Sequence, residues 1–331
     1  MASAKLTRTF SAGNRITFTF SAWVKRNGTG TDYEGICIAS GGDEGIFFKD
    51  HGIAFFINGA AQRNTTRVFR DIHAWYHFVL AVDTTQATAA DRVKFYVNGV
   101  QETLYNNSNY PTQNSDGLFN NNAGIHVIAG HSTQSYFLDG EMAHVHYVDG
   151  TAYTPTTFGE TDATTGIWKP KTSPTVTYGT NGFFLKFDNS ANMGLDSAGS
   201  NNLTTSGTII QNKDTPSNVF ATLNLYAFTE DGLSNTVFKN GSTTFDSNET
   251  GSGVYTTSFS TLGVSSVNII VNIKLLKLVE MELWLLELEK VMDLKVILVE
   301  AQIVLFIWVI QVNIEKEAVI LVMVILLQSM T

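Results

Sequence analysis

The chain has 331 residues, of which 44% are hydrophobic and only 15% are charged, so it can fill a core and is not a disordered protein. Its formal net charge of -9 offers no basic stripe to phosphate groups, which excludes nucleic acid as the expected partner. The single cysteine, Cys37, excludes an internal disulfide framework. The first residues contain no apolar segment typical of a signal peptide, which predicts synthesis in the cytoplasm.

The strongest local pattern is a pair of strands at residues 75–83 and 92–98. The first strand is apolar on both sides of a period-2 repeat, which is typical of a strand buried between two layers. The second alternates cleanly between apolar and polar side chains. The polar segment 84–91 joins the two strands, and Asn98-Gly99 is a turn signal. We therefore predict the central hairpin of an antiparallel sandwich.

Short apolar segments at regular spacing predict the remaining strands. They are separated by turns rich in Gly, Asp and Asn, and no helical period precedes residue 160. Residues 106–122 form a long Asn-rich loop, and loops of this length are usually functional or mobile. The pattern predicts an all-β sandwich or jelly roll. The predicted strands cover residues 16–24, 35–40, 45–49, 53–58, 67–71, 125–130, 136–138 and 142–148.

Five segments carry a family resemblance. In chain order they are FTFSAWVKR (18–26), WYHFVLAVD (75–83), VKFYVNGV (93–100), HVIAG (126–130) and FLDGEMAHVHYVDGTAYTP (137–155). On these segments, residues 14–158 resemble the laminin-G-like, concanavalin A-like lectin/glucanase superfamily. The resemblance implies a concanavalin A-like jelly-roll sandwich, which we assign to residues 1–158. It also implies a lectin-like function, the binding of carbohydrate or protein.

The residues after this sandwich divide into a connector and a second domain. Residues 159–218 are rich in Thr, Asn, Ser and Gly, with one apolar strand at 183–187 that we expect to pack back on the first domain. The piece 185–224 resembles a connector of bacteriophage tail-fibre-like proteins, where it precedes a SPRY-like sandwich. The resemblance implies that residues 219–266, which resume short strands and turns, begin a truncated SPRY-like sandwich.

Residues 267–331 form a tail of a different composition. The tail contains no Gly, Pro, Arg, Tyr or His, whereas all 27 glycines precede it. Taken as printed, it would be irregular or helical, and its uncharged apolar runs, 301–314 and 318–330, are shorter than the ~20 residues of a bilayer span. With A/T-rich codons, a one-base shift of the reading frame allows residues 267–303 to be decoded as a strand pattern punctuated by Gly. We therefore expect no membrane span and interpret the tail as a frameshift product.

The acidic residues do not predict catalysis. A β-glucanase of this superfamily would carry Glu-x-Asp-x-x-Glu on one strand face, which places an acid and a nucleophile across one glycosidic bond. Glu141 near Asp139, and Asp149 further on, do not form this pattern. His77 lies on a strand that is apolar on both faces, so we expect a core histidine rather than a base. A Ser/His/Asp triad stays open at this stage.

A few residues are weak candidates for metal binding. His144 and His146 share a strand face and could form a His-x-His pair, but they lack a third ligand, and we expect them to face solvent. The resemblance also makes calcium a candidate cofactor, with Asp32, Asp43 and Asp139 as candidate ligands. Because calcium needs six or more oxygen atoms and no Asp-x-Asp-x-Asp loop is present, solvated turn acids are the default interpretation.

Aromatic residues in the loops are the better ligand candidates. Tyr105, Tyr110 and Phe119 lie in or beside the Asn-rich loop, and Tyr136 lies near a strand edge. A flat ring can stack on the C–H face of a sugar while neighbouring carboxamides bond its hydroxyls. The alternative is that these rings anchor the loop on the sandwich. We name the four residues as the predicted ligand-binding residues.

These observations predict a non-enzymatic carbohydrate- or protein-binding structural or adhesion protein of a bacteriophage virion. Its expected partner is a host cell-surface glycan or another virion protein, and a homo-oligomer is compatible with that role. Two rivals stay open. One is a glycoside hydrolase or lyase on the same fold, and the other is a purely structural decoration module of the virion.

The frameshift interpretation predicts a single-base difference in the gene. Independent nucleotide sequencing across codons 265–271 is expected to show one base gained or lost relative to the printed frame, restoring a frame rich in Gly codons. An unchanged frame in an independent clone would instead establish residues 267–331 as a genuine segment.

Overall fold

The computed structural model describes residues 4–27, 33–39, 44–57, 61–72 and 74–217, together with the backbone of four short strands further on. The chain divides into two units, residues 1–220 and 221–331. Strand pairing in the first unit is antiparallel throughout the described residues.

Sixteen strands of the first unit follow one another along the chain. They are β1 (Lys5–Thr9), β2 (Thr17–Arg26), β3 (Glu34–Ala39), β4 (Glu44–Lys49), β5 (Gly52–Ile57), β6 (Ala61–Thr65), β7 (Tyr76–Asp83), β8 (Val93–Val97), β9 (Val100–Gln101), β10 (Tyr105–Ser108), β11 (Ile125–Ile128), β12 (Gly140–Asp149), β13 (Gly159–Thr161), β14 (Trp168–Pro170), β15 (Phe183–Leu185) and β16 (Thr204–Ser206).

Two of the sheets form the sandwich. The eight-stranded sheet has the order β10-β6-β5-β4-β3-β11-β1-β16, and the six-stranded sheet has the order β15-β12-β2-β7-β8-β9. Strands β13 and β14 form a separate pair. The predicted all-β sandwich is confirmed, with long crossovers between sheets as in a jelly roll.

The predicted hairpin is present as β7 and β8. Phe78 is paired with Val97 and Val82 with Val93, and a short 3-10 turn, Ala89–Asp91, lies within the connecting loop. Its position differs from the prediction, because β2 and β7 are the middle pair and β8 is next to the edge strand β9. The clean alternation of β8 is consistent with that place, since polar side chains on its outer face reach solvent.

The core between the sheets is built largely of aromatic rings. The ring centroid of Phe78 lies 5.1 Å from that of Phe69 and 5.8 Å from those of Phe48 and Phe95, so rings of both sheets interlock. All four side chains are fully buried. Removing one such side chain from water contributes about 1.5–3 kcal/mol, which makes this cluster a principal source of the stability of the sandwich.

The connector packs back on the sandwich, as predicted. Its strand β15 pairs with β12, with Phe183 opposite Tyr147 and Leu185 opposite Val145. The strand ends earlier than the predicted residue 187, because Phe187 has a φ of 59°, which takes the backbone out of the extended region.

The connector, together with Tyr153 and Phe158 just before it, also covers the outer face of the six-stranded sheet, which we call the covered face. Val79 of β7 and Val148 of β12 point away from the core and are buried under Phe158, with Tyr153 and Tyr178 packed alongside. The six-stranded sheet therefore buries apolar side chains on both faces, as the unbroken apolar run at 75–83 requires.

The second unit contains four short strands within its described residues. Strand β17 (Thr236–Lys239) pairs with β18 (Thr244–Ser247), and β19 (Asn272–Ile273) pairs with β20 (Leu294–Lys295). The first pair confirms the predicted strand at 236–239. Most of residues 219–266 and of the tail lies outside the described residues. None of the described helices is long and apolar enough to cross a membrane.

The β8–β9 turn is expected to depend on a glycine in contact with the connector. Gly99 has a φ of 82°, and a Cβ there would lie 2.9 Å from the Trp168 ring. Gly99→Ala should therefore lower the free energy of unfolding by more than the about 1–2 kcal/mol of a left-handed backbone alone. Gly166→Ala is the matched control, since Gly166 has a φ of 71° and nothing within 4 Å of its Cβ position. Urea unfolding monitored by tryptophan fluorescence compares the two, and equal losses would show that the Trp168 contact is unimportant.

Candidate functional site

The outer face of the eight-stranded sheet carries a group of aromatic residues. Phe47 is buried there, whereas Tyr33, Phe56 and Tyr136 around it are only partly buried. We call these four residues the aromatic surface. They form a cluster separate from the core, with Ile38 and Val127 beneath them.

Strand alternation places two of the rings. Phe47 and Phe48 of β4 point to opposite faces, as do Phe55 and Phe56 of β5, so that each strand gives one ring to the core and one to the outer face. Small residues lie opposite the outward rings, with Phe47 paired to Ala54 and Phe56 to Gly45. The small partners leave room for the Phe47 and Phe56 rings to meet edge to face, with centroids 5.6 Å apart.

Tyr136 reaches this face because a glycine lets its backbone approach β3. The Gly35 amide donates to the Tyr136 carbonyl at 2.8 Å, and a Cβ at Gly35 would collide with the carbonyl of Gly130. The Tyr136 ring then lies 5.4 Å from the Tyr33 ring. The sequence thus positions two tyrosine rings side by side on this face.

A lysine lies at the edge of the aromatic surface. The Lys49 ammonium is 4.9 Å from the centroid of the Tyr33 ring, and a hydrogen bond with the Tyr33 side chain raises the pKa of Lys49. The amine therefore stays charged at neutral pH. The surface combines ring faces, which can stack on apolar C–H groups, with a cation and phenol groups that can bond hydroxyls or an anionic group.

Of the four predicted ligand-binding residues, only Tyr136 belongs to the aromatic surface. Tyr105 and Tyr110 instead enclose the guanidinium of Arg63, at 3.8 and 4.7 Å from their ring centroids. Arg63 is buried and donates to the Val93 carbonyl. These contacts support the interpretation of the two rings as loop anchors, although Tyr110 keeps 36% of its surface exposed and its ligand role stays a prediction.

The expectation that Phe119 offers an exposed ring is wrong. Phe119 is 0% exposed, because the loop inserts this ring into the hydrophobic core. Its centroid lies 4.6 Å from Phe18 and 5.7 Å from His126. A ligand cannot stack on it in this structure.

The histidines of β12 also differ from expectation. His146 was expected to face solvent but is 2% exposed, because the connector covers that face. Its ring stacks on Phe184 at 4.0 Å, and its Nδ1 is bonded to the Tyr178 hydroxyl at 2.8 Å. His144 is partly buried at a β-bulge, with a φ of 47°. Burial lowers the pKa of both histidines, so they are neutral and engaged with the connector.

Metal binding gains no support from the described residues. Asp139 contributes its carbonyl to the amide of Asn27, and its charge lies near Glu34, whose pKa is raised mainly by burial. Asp32 and Asp43 lie outside the described residues. Across residues 4–217 as described, no three His, Cys, Asp or Glu side chains converge in a way that would hold a metal ion.

His77 forms a Ser–His contact that is unsuited to catalysis. Its Nε2 is 2.9 Å from the Ser21 hydroxyl, and the Trp168 indole N–H donates to its Nδ1 at 3.0 Å. Because an indole nitrogen only donates, Nδ1 carries no proton and Nε2 carries the one that is shared with Ser21. The imidazole cannot then accept a proton from Ser21. His77 is a buried core histidine, as predicted.

The carboxylates considered for glycoside hydrolysis have structural partners. Asp149 accepts hydrogen bonds from the amides of Asn14 and Asn181, at 2.7 and 3.1 Å, and so fixes two loops. Glu141 lies on the covered face, bonded to Asn212 and 3.9 Å from Lys25. Neither residue lies at the aromatic surface.

Sequence reasoning missed Tyr33, Phe47 and Phe56. The available signal is the Phe-Phe pair in both GIFF of β4 and AFF of β5, which places an aromatic ring on each face of two neighbouring strands. Strand periodicity alone does not show which partners the outward rings contact.

A sequence model of the family described as the concanavalin A-like lectin/glucanases superfamily matches residues 3–157. No curated protein matches the chain. A candidate carbohydrate-binding protein from Bacteroides ovatus is a similar solved structure, with 17% identity, a TM-score of 0.47, and coverage of 64% of this chain and 58% of that chain. The chain thus spans little more than half the length of that protein.

Two further solved structures are similar at lower scores. A heptameric pentraxin from Limulus polyphemus has 12% identity and a TM-score of 0.35, with 46% of this chain and 71% of that chain covered. Domain 4 of an extracellular arabinanase from Geobacillus stearothermophilus, in complex with arabinotriose, has 16% identity and a TM-score of 0.31, with 43% and 65% covered.

Acidification is expected to destabilise the sandwich through its buried histidines. Burial lowers the pKa of His77 to about 3 and that of His126 to about 4, below the ordinary value of 6.5. Below pH 6.5 the unfolded chain therefore binds protons that the folded chain excludes. The stabilisation is complete above pH 6.5 and is lost as the pH falls towards the folded values, by about 1.4 kcal/mol per pH unit for each histidine.

Urea unfolding between pH 7 and 4.5 measures this slope. In His77→Gln, the amide can accept from Trp168 and donate to Ser21 but cannot titrate. Below pH 6.5, the free energy of unfolding of this variant should fall less steeply, by about 1.4 kcal/mol per pH unit, because one proton fewer is taken up on unfolding. Identical slopes in the two proteins would contradict a neutral His77.

Proposed function

We propose that residues 3–157, which form a concanavalin A-like lectin/glucanase domain, bind carbohydrate at the aromatic surface without cleaving it. The observation that carries the proposal is the group of partly exposed rings of Tyr33, Phe56 and Tyr136 on an outer sheet face, supported by the buried ring of Phe47. Outer sheet faces in contact with water normally carry polar side chains, so a cluster of exposed rings marks a ligand surface.

The chemistry of the surface suits a sugar. Pyranose and furanose rings present C–H groups on their faces and hydroxyls around their rims. A binding site for them therefore needs both a flat apolar surface and hydrogen-bonding groups. Tyr33 and Tyr136 supply aromatic ring faces and phenol hydroxyls, and the Lys49 ammonium supplies an adjacent hydrogen-bond donor. Because the Tyr33 ring packs on Phe47 and the Tyr136 ring packs on Tyr33, little conformational entropy is lost when a ligand binds.

Binding without hydrolysis is proposed because the acids near the fold's centre are occupied. Glu141 and Asp149 hold loops and the connector, and neither reaches the aromatic surface. Hydrolysis of a glycosidic bond needs two carboxyl groups on either side of the bond. Release of reducing sugar from a glucan by the purified protein would overturn this part of the proposal.

The biological setting we propose is a tail-fibre-like virion protein of a bacteriophage. The support is the resemblance of residues 185–224 to a phage connector and of residues 219–266 to the start of a SPRY-like sandwich. In this setting the protein is made in the host cytoplasm, is located in the virion, and recognises a host-surface glycan. Co-purification with other virion proteins but no glycan binding would favour the structural decoration role instead.

Removing a ring from the aromatic surface is expected to weaken glycan binding. Tyr33→Ala and Tyr136→Ala should each weaken the affinity for the best ligand of a glycan panel about tenfold or more, which corresponds to about 1.4 kcal/mol of lost contact. Tyr136→Phe keeps the ring and should lose less. Binding is measured by titration calorimetry on the full chain.

Tyr110→Ala is the matched control at the other tyrosine site. Its ring packs on Arg63 and lies outside the aromatic surface, so binding should be unchanged. Loss of binding in Tyr110→Ala with retention in Tyr136→Ala would transfer the site to the Asn-rich loop. Far-UV circular dichroism confirms that each variant is folded.

A further inference from the structure

Three charged side chains meet on the covered face, away from the aromatic surface. The Lys25 ammonium is 2.7 Å from Oδ2 of Asp214 and 3.9 Å from Oε2 of Glu141. Lys25 and Glu141 are directly paired on β2 and β12, and Asp214 comes from the end of the connector. The Lys25 side chain is 1% exposed and that of Asp214 is 0% exposed.

We propose that Lys25 and Asp214 form a spontaneous intramolecular isopeptide bond, with Glu141 transferring the proton. An amine and a carboxyl group are the two components of an amide, and here they are held within hydrogen-bonding distance away from water. Amide formation requires one proton to pass from the ammonium to the carboxylate, and the 2.7 Å contact between Lys25 and Asp214 provides a direct path for that transfer.

The reaction balances without any added reagent. The Lys25 nitrogen attacks Cγ of Asp214 and forms the C–N bond, and its remaining surplus proton passes to the Glu141 carboxylate. Glu141 returns that proton to the departing hydroxyl, the C–O bond breaks, and one water molecule leaves. Nothing is oxidised or reduced. Net, an ammonium and a carboxylate become an amide and water.

The neighbouring groups fit these roles. The Trp75 indole N–H donates to Oδ2 of Asp214 at 3.0 Å, which polarises the carboxyl group and stabilises negative charge on that oxygen during attack. Asn212 donates to Oε1 of Glu141 at 3.1 Å, and within the described part of the chain no group donates a hydrogen bond to Oε2, the oxygen nearer Lys25. Burial also raises the pKa of Glu141 and brings it closer to the range in which a carboxyl group can both accept and donate a proton.

The chain contains an exposed counterpart that isolates the effect of burial. Lys169 is 2.7 Å from Asp162 and 3.9 Å from Glu160, which reproduces the distances around Lys25. Its side chain is 38% exposed and that of Asp162 is 26% exposed, so water keeps both groups charged. The proposal therefore requires an amide at Lys25 and none at Lys169.

The cross-link would join positions that are 189 residues apart. A covalent link over such a long loop restricts the unfolded chain strongly, as a disulfide does. The end of the connector would then be fastened covalently to the second strand of the sandwich. This gives the chain a cross-link that does not depend on its single cysteine.

Mass spectrometry of the purified full chain under denaturing conditions tests the proposal. The intact mass is expected to be lower than the sequence mass by one water molecule, and a proteolytic digest is expected to contain a branched peptide joining Lys25 and Asp214. A sequence mass without loss of water, with separate Lys25 and Asp214 peptides, would identify an ion pair only and overturn the proposal.

Variants assign the roles. Asp214→Ala and Glu141→Gln should each show their full sequence masses, whereas Asp162→Ala should still lack one water molecule. If Glu141→Gln forms the amide as completely as the chain without substitutions, Glu141 does not transfer the proton. Far-UV circular dichroism checks folding of the variants. The peptide map of the chain without substitutions shows whether the bond exists even where a variant fails to fold.

Discussion

The packing of the connector on the six-stranded sheet determines the environment of the polar groups beneath it. Nine consecutive residues of β2 are buried, because one of its faces packs on the eight-stranded sheet and the other lies under the connector. The polar side chains that the connector buries on the covered face are thereby removed from water and need protein partners. Ser21 is bonded to His77, His146 to Tyr178, and Lys25 to Asp214.

The two outer faces of the sandwich therefore have different roles. The covered face is filled by the chain's own aromatic rings, which stack on its histidines and leave little surface for a ligand. The outer face of the eight-stranded sheet also carries aromatic rings, but Tyr33, Phe56 and Tyr136 there keep part of their surface accessible. A ligand that stacks on aromatic rings can therefore bind at the aromatic surface, whereas the rings of the covered face already stack on side chains of the chain itself.

Much of the sandwich follows from local pattern, because period-2 alternation and turn residues act over a few positions. The β7–β8 hairpin and its Asn98-Gly99 turn are examples, with φ values of 48° and 82° in the turn. The position of that hairpin within the sheet could not be predicted from the local pattern, because strand order depends on contacts between distant segments. The apolar strand at 183–187 was recognisable, and so was its return to the sandwich.

The candidate site was less predictable for the same reason. Alternation assigned His146 to an outward face correctly, but it could not show that a segment more than ten residues later covers that face. Phe119 has a loop-like context and still inserts into the core. Tyr136 was identified from its exposed context, whereas Phe47 and Phe56 looked like ordinary strand residues, because only the sheet register brings them next to Tyr33.

The connector also supplies a lateral strand to each sheet of the sandwich. Strand β15 extends the six-stranded sheet beyond β12, and β16 extends the eight-stranded sheet beyond β1. A recombinant fragment ending at residue 157, where the family match stops, would leave both of these edges unpaired and would uncover Val79 and Val148. Unpaired strand edges recruit strands from other molecules. A fragment meant to remain monomeric and soluble must therefore extend through β16, which ends at Ser206. The need to pair both sheet edges, and not family similarity, sets the C-terminal limit of such a fragment.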